Sequence, residues 1–326
     1  MIDSKFRQIN RKKWLEIGLL LAIIACTLIS LAGYFGRWHI LLEIASHFRL
    51  QYFVASILLM ILFLLLARHS KIGLAICAFC LAINLAEILP WYLPVPNNHL
   101  EISGKPLRVL VSNVYYKNQD YPRLISLLRQ EQPDLAIFLE INDKWSVSLD
   151  QLKDLMPYSL SLLKSQKFGL ALYSKLPLEN AVYQDFGLKG RPSIVANVTV
   201  GSEKVTIIGT HILAPMNFAY IQQRNKQLAA MSRYLGEITT PKIVFGDLNI
   251  TMWSHYYKEF VKTAGMRNAR AGFGVQPTWY KKLPIFYIPI DHCLVSPDIQ
   301  VRNSRVGEKV GSDHLPIIVD LAIPQS

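Results

Sequence analysis

Apolar positions follow two unlike patterns along this chain. Up to residue 93 they form three long runs, Trp14–Phe35, Leu50–Ala67 and Ile72–Leu93, in which the only acids are Glu16 and Glu87. Each run is close to the ~20 residues that an α-helix needs to cross a bilayer. A cleavable signal peptide would carry a shorter apolar core, end in a small-residue cleavage site and have no such successors. The pattern therefore predicts an N-terminal membrane region, 1–93, with about three transmembrane helices, against the alternative of a buried helical bundle.

A stretch at 94–104, rich in proline and asparagine, reads as a linker, and beyond it the pattern changes. Over 105–326 short β-branched runs alternate with turn signals, and strands are expected at 107–114, 134–141, 168–174, 193–200, 204–212, 242–250, 290–296 and 315–321. Two stretches, 121–132 and 219–238, carry apolar residues at helical spacing and predict amphipathic helices. Many strands with helices between them indicate one α/β domain built on sheets whose faces are covered.

Charge adds an orientation to this outline. Lys5, Arg7, Arg11, Lys12 and Lys13 precede the first run, and Arg68 with Lys71 separate the second from the third, whereas Arg37 and Arg49 stand between the first and second. By the positive-inside tendency the N-terminus is cytoplasmic, three spans carry the domain to the extracytoplasmic side, and Trp91 with Tyr92 suits the interfacial belt there. The formal net charge is +12. Residues 105–326, with 26 basic and 18 acidic side chains, suggest anionic company such as lipid head groups or phosphate-bearing polymers. Cys26, Cys77 and Cys80 lie in the apolar runs and Cys293 in the domain, so no disulfide can form within the domain.

The chemistry stands at the ends of the expected strands. Asn113 closes the first, Glu140 the second, His211 the fifth, and Asp247 with Asn249 the sixth; Asp291 lies in the seventh, and Asp313 with His314 opens the last. Buried polar groups without partners are costly, so these satisfy one another if the strand ends converge. Singly, each has a plainer reading: Glu140 a solvated acid, Gly246–Asn249 a turn, His211 a satisfied core histidine, Ser312–His314 a cap. A zinc site from His292, Cys293 and His314 lacks the usual ligand spacing.

In order and character, Asn113, Glu140, His211, Asp247-x-Asn249, Asp291 and Ser312-Asp313-His314, with Pro277–Trp279 between, resemble the endonuclease/exonuclease/phosphatase superfamily over about 107–321. The resemblance implies a four-layer α/β sandwich, two packed mixed β-sheets flanked by helices, here preceded by the transmembrane region. It implies a membrane-anchored, metal-dependent phosphoesterase that cleaves a phosphodiester or phosphomonoester by attack of water. It also implies Glu140 as principal ligand of Mg²⁺ or Mn²⁺ with Asn113 and Asp313 nearby, a hard oxygen set that suits those ions. His314 would be general base or electrostatic clamp, oriented by Asp291; Asp247 would position or deprotonate the water; Asn249 would hold a phosphoryl oxygen; His211 would donate to the scissile phosphate. Some members carry an acid where this chain has Tyr115, which puts a metal site relying on that carboxylate in doubt.

The substrate is then a phosphate ester, whether nucleic acid, phospholipid or small phosphoester, and no obligate protein partner is evident. A catalytically inactive, membrane-tethered binding module of the same fold is the alternative. It is disfavoured because Glu140, Asp247, Asn249, Asp313 and His314 are all present. A transporter would need more ionisable groups in its spans than Glu87.

Overall fold

The apolar runs at the N-terminus fold as helices, and the alternating runs that follow fold as two sheets. A computed structural model describes residues 2–95, 104–163, 167–280 and 286–325, leaving aside the side chains of 2–11. Most of the expected linker at 94–104, and the basic side chains of Lys5, Arg7 and Arg11, thus lie outside the described residues. By their contacts the residues fall into two units, Met1–Pro90 with Trp253–His255, and Trp91–Met252 with Tyr256–Ser326.

The first unit contains helices α1 (Ile2–Ala32), α2 (Ile40–Ala45), α3 (Arg49–Leu66) and α4 (Lys71–Ile88). Three helical stretches, Lys12–Phe35, Ile40–Leu66 and Lys71–Trp91, are long and apolar enough to cross a membrane, with mean hydropathy 2.4, 2.2 and 2.3. Leu21, Leu28, Leu58 and Leu65 are exposed on their outer faces, where water would be a poor solvent for them. The polar groups turn inward and pair. Ser30 Oγ donates to Asn84 Oδ1 at 2.9 Å, and Arg49 Nη1 donates to the Ser30 carbonyl at 2.9 Å. The middle stretch begins at Ile40, not Leu50, because α2 and the 3₁₀ turn Ser46–Phe48 lead into α3. Arg49, read from sequence as a loop charge, is therefore buried.

The second unit contains, in order, β1 (Gly104–Asn113), α5 (Tyr121–Glu131), β2 (Leu135–Ile141), α6 (Asp143–Leu149), β3 (Tyr158–Leu162), β4 (Gly169–Ser174), β5 (Glu179–Gln184), β6 (Ser193–Val200) and β7 (Glu203–His211). Then follow α7 (Phe218–Glu237), β8 (Lys242–Asp247), α8 (His255–Thr263), β9 (Arg267–Asn268), β10 (Asp291–Val295), β11 (Gln300–Val306) and β12 (Ile317–Pro324). The strands make two six-stranded mixed sheets, β11-β12-β1-β2-β4-β3 and β5-β6-β7-β8-β10-β9. In each sheet one pair is parallel, β1 with β2 and β7 with β8.

Strand alternation builds the layers. Leu107, Val109 and Val111 of β1 and Val319 and Leu321 of β12 meet Ile194, Ile207, Ile243 and Phe245 of the other sheet in one core. Leu110, Phe138 and Ile318 point the opposite way and pack under Leu124 and Leu128 of α5 and Trp145 of α6. On α7, Ile221, Leu228, Met231 and Leu235 form the buried stripe, and Lys242 Nζ caps its last turn through the carbonyls of Leu235 at 2.7 Å and Ile238 at 2.9 Å. These are the two mixed sheets flanked by helices that the sequence implies. All eight expected strands form; β3, β5, β9 and β11 are additional.

The strand expected at 242–250 ends at Asp247, since the chain turns sharply there. Gly246 has φ +150, and a Cβ on it would lie 1.8 Å from the Thr210 carbonyl oxygen of the paired strand. Gly246→Ala is expected to cost at least about 2 kcal/mol, roughly 5 °C in Tm, read by tryptophan fluorescence of the detergent-solubilised chain. An unchanged melt would mean that β7 yields freely at this point.

Candidate active site

Register alone assembles half of the site. The parallel pairing of β7 with β8 sets His211 opposite Asp247, and the antiparallel pairing of β8 with β10 sets Asp247 opposite Asp291. Three chemically capable side chains thus share one row of a sheet. On the other sheet Asn113 ends β1 opposite Leu139 of β2, and Glu140 follows at an irregularity in the β2–β4 register. Irregularities of this kind re-aim a side chain that strict alternation would send elsewhere.

Contacts between the two sheets complete it. Asn113 Nδ2 lies 3.3 Å from both Glu140 Oε1 and Asp247 Oδ2, so one amide spans two carboxylates. His314, just before β12, donates from Nδ1 to Asp291 Oδ2 at 2.8 Å, leaving Nε2 at 3.9 Å from Asp247 Oδ2. His211 Nε2 stands 3.8 Å from the same Asp247 oxygen. The loop carrying His314 is fixed by Ser312, whose Oγ donates to the Asn113 carbonyl at 2.6 Å and accepts the His314 amide at 3.1 Å. Asn249 lends its amide N–H to Asp247 Oδ1 at 2.8 Å and spends one side-chain hydrogen on the Ile212 carbonyl at 2.9 Å. Asp313 is half-buried and interacts with Glu140 and His314 through its charge.

Burial and neighbours sort these groups by protonation. Burial opposes a charge on His314, but Asp291, by charge and hydrogen bond, and then Asp247 and Asp313 raise the imidazole to about 10. Asp291 is correspondingly held low despite its burial. Asp247 is pushed well above the carboxylate range by burial and by Asp291. Burial, with His314 beside it, takes His211 down to about 4. Glu140 is raised by burial, and Asp313 adds to the shift. The site therefore holds one cationic imidazole, one neutral imidazole and two carboxyls that bear charge reluctantly.

Among the described residues, Asp247, Asp291 and His314 hold potential ligand atoms within 4.8 Å of one another. In this geometry His314 gives its Nδ1 proton to Asp291, so that carboxylate oxygen is already engaged. Glu140, Asn113 and Asp313 offer the alternative, an oxygen set in which Glu140 is destabilised as an anion and a divalent cation would reverse that. One lone pair of Asn113 Oδ1 is already engaged by the Tyr115 amide at 3.1 Å.

Backbone strain gathers at the same place. Tyr115, Glu140 and Asn249 have φ of 57°, 59° and 50°, a region that costs energy for residues other than glycine. Two supporting arginines were not foreseen. Arg224, buried on α7, donates to the Asn249 carbonyl at 3.1 Å, and Arg270, also buried, donates to the Asp291 carbonyl at 2.6 Å. Arg224 was detectable as a charge within the apolar stripe of α7; Arg270, in a polar loop, carried no such signal. Thr278, of the Pro277–Trp279 motif, accepts the Asp291 amide at 3.1 Å.

Comparison with known proteins gives one sequence-family match, to the Endonuclease/Exonuclease/phosphatase family over residues 110–314. No curated protein matches. Solved structures similar in fold include an endonuclease/exonuclease/phosphatase from Beutenbergia cavernae DSM 12333, 19% identical with TM-score 0.55, covering 68% of this chain and 72% of that one. D. rerio TDP2 complexed with single strand DNA product is 18% identical with TM-score 0.55, covering 66% and 98%. The human Nocturnin catalytic domain with bound sulfate is 16% identical with TM-score 0.56, covering 71% and 99%.

His292, beside the row, has both ring nitrogens engaged, Nε2 with the Ile250 carbonyl at 2.8 Å and Nδ1 with Asn268 Nδ2 at 3.0 Å. Cys293 lies in the core between the sheets, and neither it nor His292 joins His314 among the converging ligand atoms of the described residues, so the zinc reading gains no support. Burial, then Arg270, pushes His292 down from 6.5 to about 3. The unfolded chain binds this proton more readily, so the stability that His292 contributes is complete above about pH 6.5 and is lost as pH falls towards 3. Unfolding titrations across that window should show the loss, on the order of a few kcal/mol, and a shallower slope in His292→Asn. An equal slope in the variant would assign the acid sensitivity elsewhere.

Proposed function

Because the chain belongs to the endonuclease/exonuclease/phosphatase family, we propose that it is a membrane-anchored hydrolase that uses a divalent cation to cleave a phosphate ester by attack of water. The observation that carries this reading is the Asp291–His314 pair facing Asp247, beside an oxygen-rich set. Glu140, with Asn113 and Asp313, would hold Mg²⁺ or Mn²⁺, whose chemistry there is to neutralise charge on the phosphoryl oxygens.

The remaining roles follow from protonation. Asp247 in its ionised form, which the neighbouring His314 favours, would take the proton of the attacking water, and the burial that raises its pKa makes that form a stronger base. His314, whose imidazole Asp291 raises, would present Nε2–H to a phosphoryl oxygen as a charge clamp, a role that its raised affinity for the proton favours over that of base. His211, neutral, would donate a single hydrogen bond to the same group, and Asn249 would lend the amide hydrogen not spent on Ile212. The single-stranded DNA product of the D. rerio relative supports nucleic acid as one substrate class. Phospholipid and small phosphoesters are the others.

Activity against generic diesters, DNA, RNA and phospholipid is expected to vanish in excess chelator and to return with Mg²⁺ or Mn²⁺. His314→Ala should lose roughly 10²–10⁴-fold in turnover, Asp291→Asn less, and Glu140→Gln both rate and metal dependence. Full activity in chelator, or near wild-type turnover in folded His314→Ala, would overturn the reading.

The orientation proposed is a cytoplasmic N-terminus with the catalytic region on the extracytoplasmic side, supported by basic flanks at Lys12, Lys13, Arg68 and Lys71. A reporter fused after Ser326 should behave as exported and one inserted near Arg68 as cytoplasmic. The reverse pattern would place the site among cytosolic phosphoesters.

A further inference from the structure

The loop from β7 to α7 is buried at its root and bare at its tip. Directly after His211, Ile212 and Leu213 are buried and tied down: the Ile212 amide donates to the Asp247 carbonyl at 2.9 Å, and the Leu213 amide to Gln227 Oε1 at 3.4 Å. From Pro215 to Tyr220 every residue is exposed. Three of them are large and apolar, Met216 at 78%, Phe218 at 58% and Tyr220 at 36% exposure. Apolar residues exposed singly need no explanation, but several within six consecutive exposed residues mark a docking surface.

The surroundings identify the partner. The neighbouring loop after β5 carries exposed Lys189 and half-buried Arg191, and Gln227 of α7 donates to the Arg191 carbonyl at 3.4 Å, which holds that loop against the same helix. Arg191 interacts electrostatically with both Tyr220 and His211, so the tip, the cations and the site border one another. Lys226 adds a further exposed cation on α7. Methionine and aromatic side chains ringed by lysine and arginine are the composition of surfaces that enter the boundary between lipid head groups and acyl chains of anionic bilayers. The cations beside these apolar side chains match an anionic lipid surface, and the chain itself carries three helices long and apolar enough to cross a membrane.

We propose that Met216 in the loop and Phe218 at the start of α7, with Lys189 and Arg191 beside them, dock on an anionic lipid surface and hold the site against it, so that the phosphate ester taken is one displayed in the bilayer. The substrate part of this proposal rests on the phosphoesterase reading; the docking part does not.

The test uses the full chain reconstituted in vesicles of phosphatidylglycerol and phosphatidylcholine. A nitroxide is attached through Met216→Cys and, as a solvent-exposed control, through Val147→Cys on α6, where the native side chain is 71% exposed; labelled wild type gives the background of the native cysteines. The label at 216 should be shielded from a water-soluble nickel chelate and relaxed by oxygen, and the label at 147 the reverse. Equal nickel access at both positions overturns the docking, as does dipolar broadening between labels at 216 on two chains, which would make a second copy the occupant. In the same vesicles Met216→Ser/Phe218→Ser should leave hydrolysis of a soluble nitrophenyl diester within about twofold and raise the apparent KM for phospholipid about tenfold or more. Unchanged KM for phospholipid, or hydrolysis of DNA alone, overturns the bilayer substrate. Shielding at 216 without hydrolysis of any ester would retain the docking and remove the phosphoesterase reading.

Discussion

The site depends on a carboxylate of one sheet being held by an imidazole that belongs to the other. Asp291 sits in β10, His314 immediately before β12, and their 2.8 Å hydrogen bond is made between groups that are both almost fully buried. Removing either partner would strand a buried charge, typically a loss of about 3–5 kcal/mol. Asn113 repeats the arrangement in a milder form, reaching from β1 to Asp247 on β8. The two sheets share an apolar core that is indifferent to small slides, since hydrophobic contact is not directional. These polar bonds are directional, and they fix how the strand ends meet.

What the sequence made legible follows the same physics. All eight strands expected from apolar runs lie in the interior of a sheet, and the four that were missed, β3, β5, β9 and β11, are the four edges. An interior strand is paired on both sides and covered on both faces, so it carries a run of apolar residues; β4 and β8 are buried at every position. An edge strand such as Glu179–Gln184 keeps polar and exposed residues, and nothing in its local pattern separates it from a loop. The membrane-length helices were legible for their length and lack of charge. The start of the middle one was not, because Arg49 is buried by a hydrogen bond to a partner nineteen residues away.

The chemistry was legible where a polar residue terminates an apolar run, as at Asn113, Glu140, His211 and Asp247. The framework behind it was legible only at Arg224, a charge within the apolar stripe of α7. Arg224 and Arg270 act through the carbonyls of Asn249 and Asp291, and a side chain that grips a backbone oxygen leaves no trace in the identity of the residue gripped. The left-handed backbone at Tyr115 and Glu140 was equally hidden, since neither residue type favours that conformation. Such strain persists only where surrounding contacts over-determine the geometry, and the Asn113, Ser312 and Arg224 hydrogen bonds supply that here.

The pairing of β1 with β12 has a consequence in time. Leu107 lies opposite Leu321, so β1 is completed on that edge only by a strand far along the chain from it. Contacts so distant in sequence close slowly and cannot form on a partial chain. His314 comes into place with β12. A folding intermediate in which β12 has not docked can hold Asn113, Glu140, His211 and Asp247 and still lack the imidazole opposite Asp291, so the candidate site is whole only once β1 is paired on both of its edges.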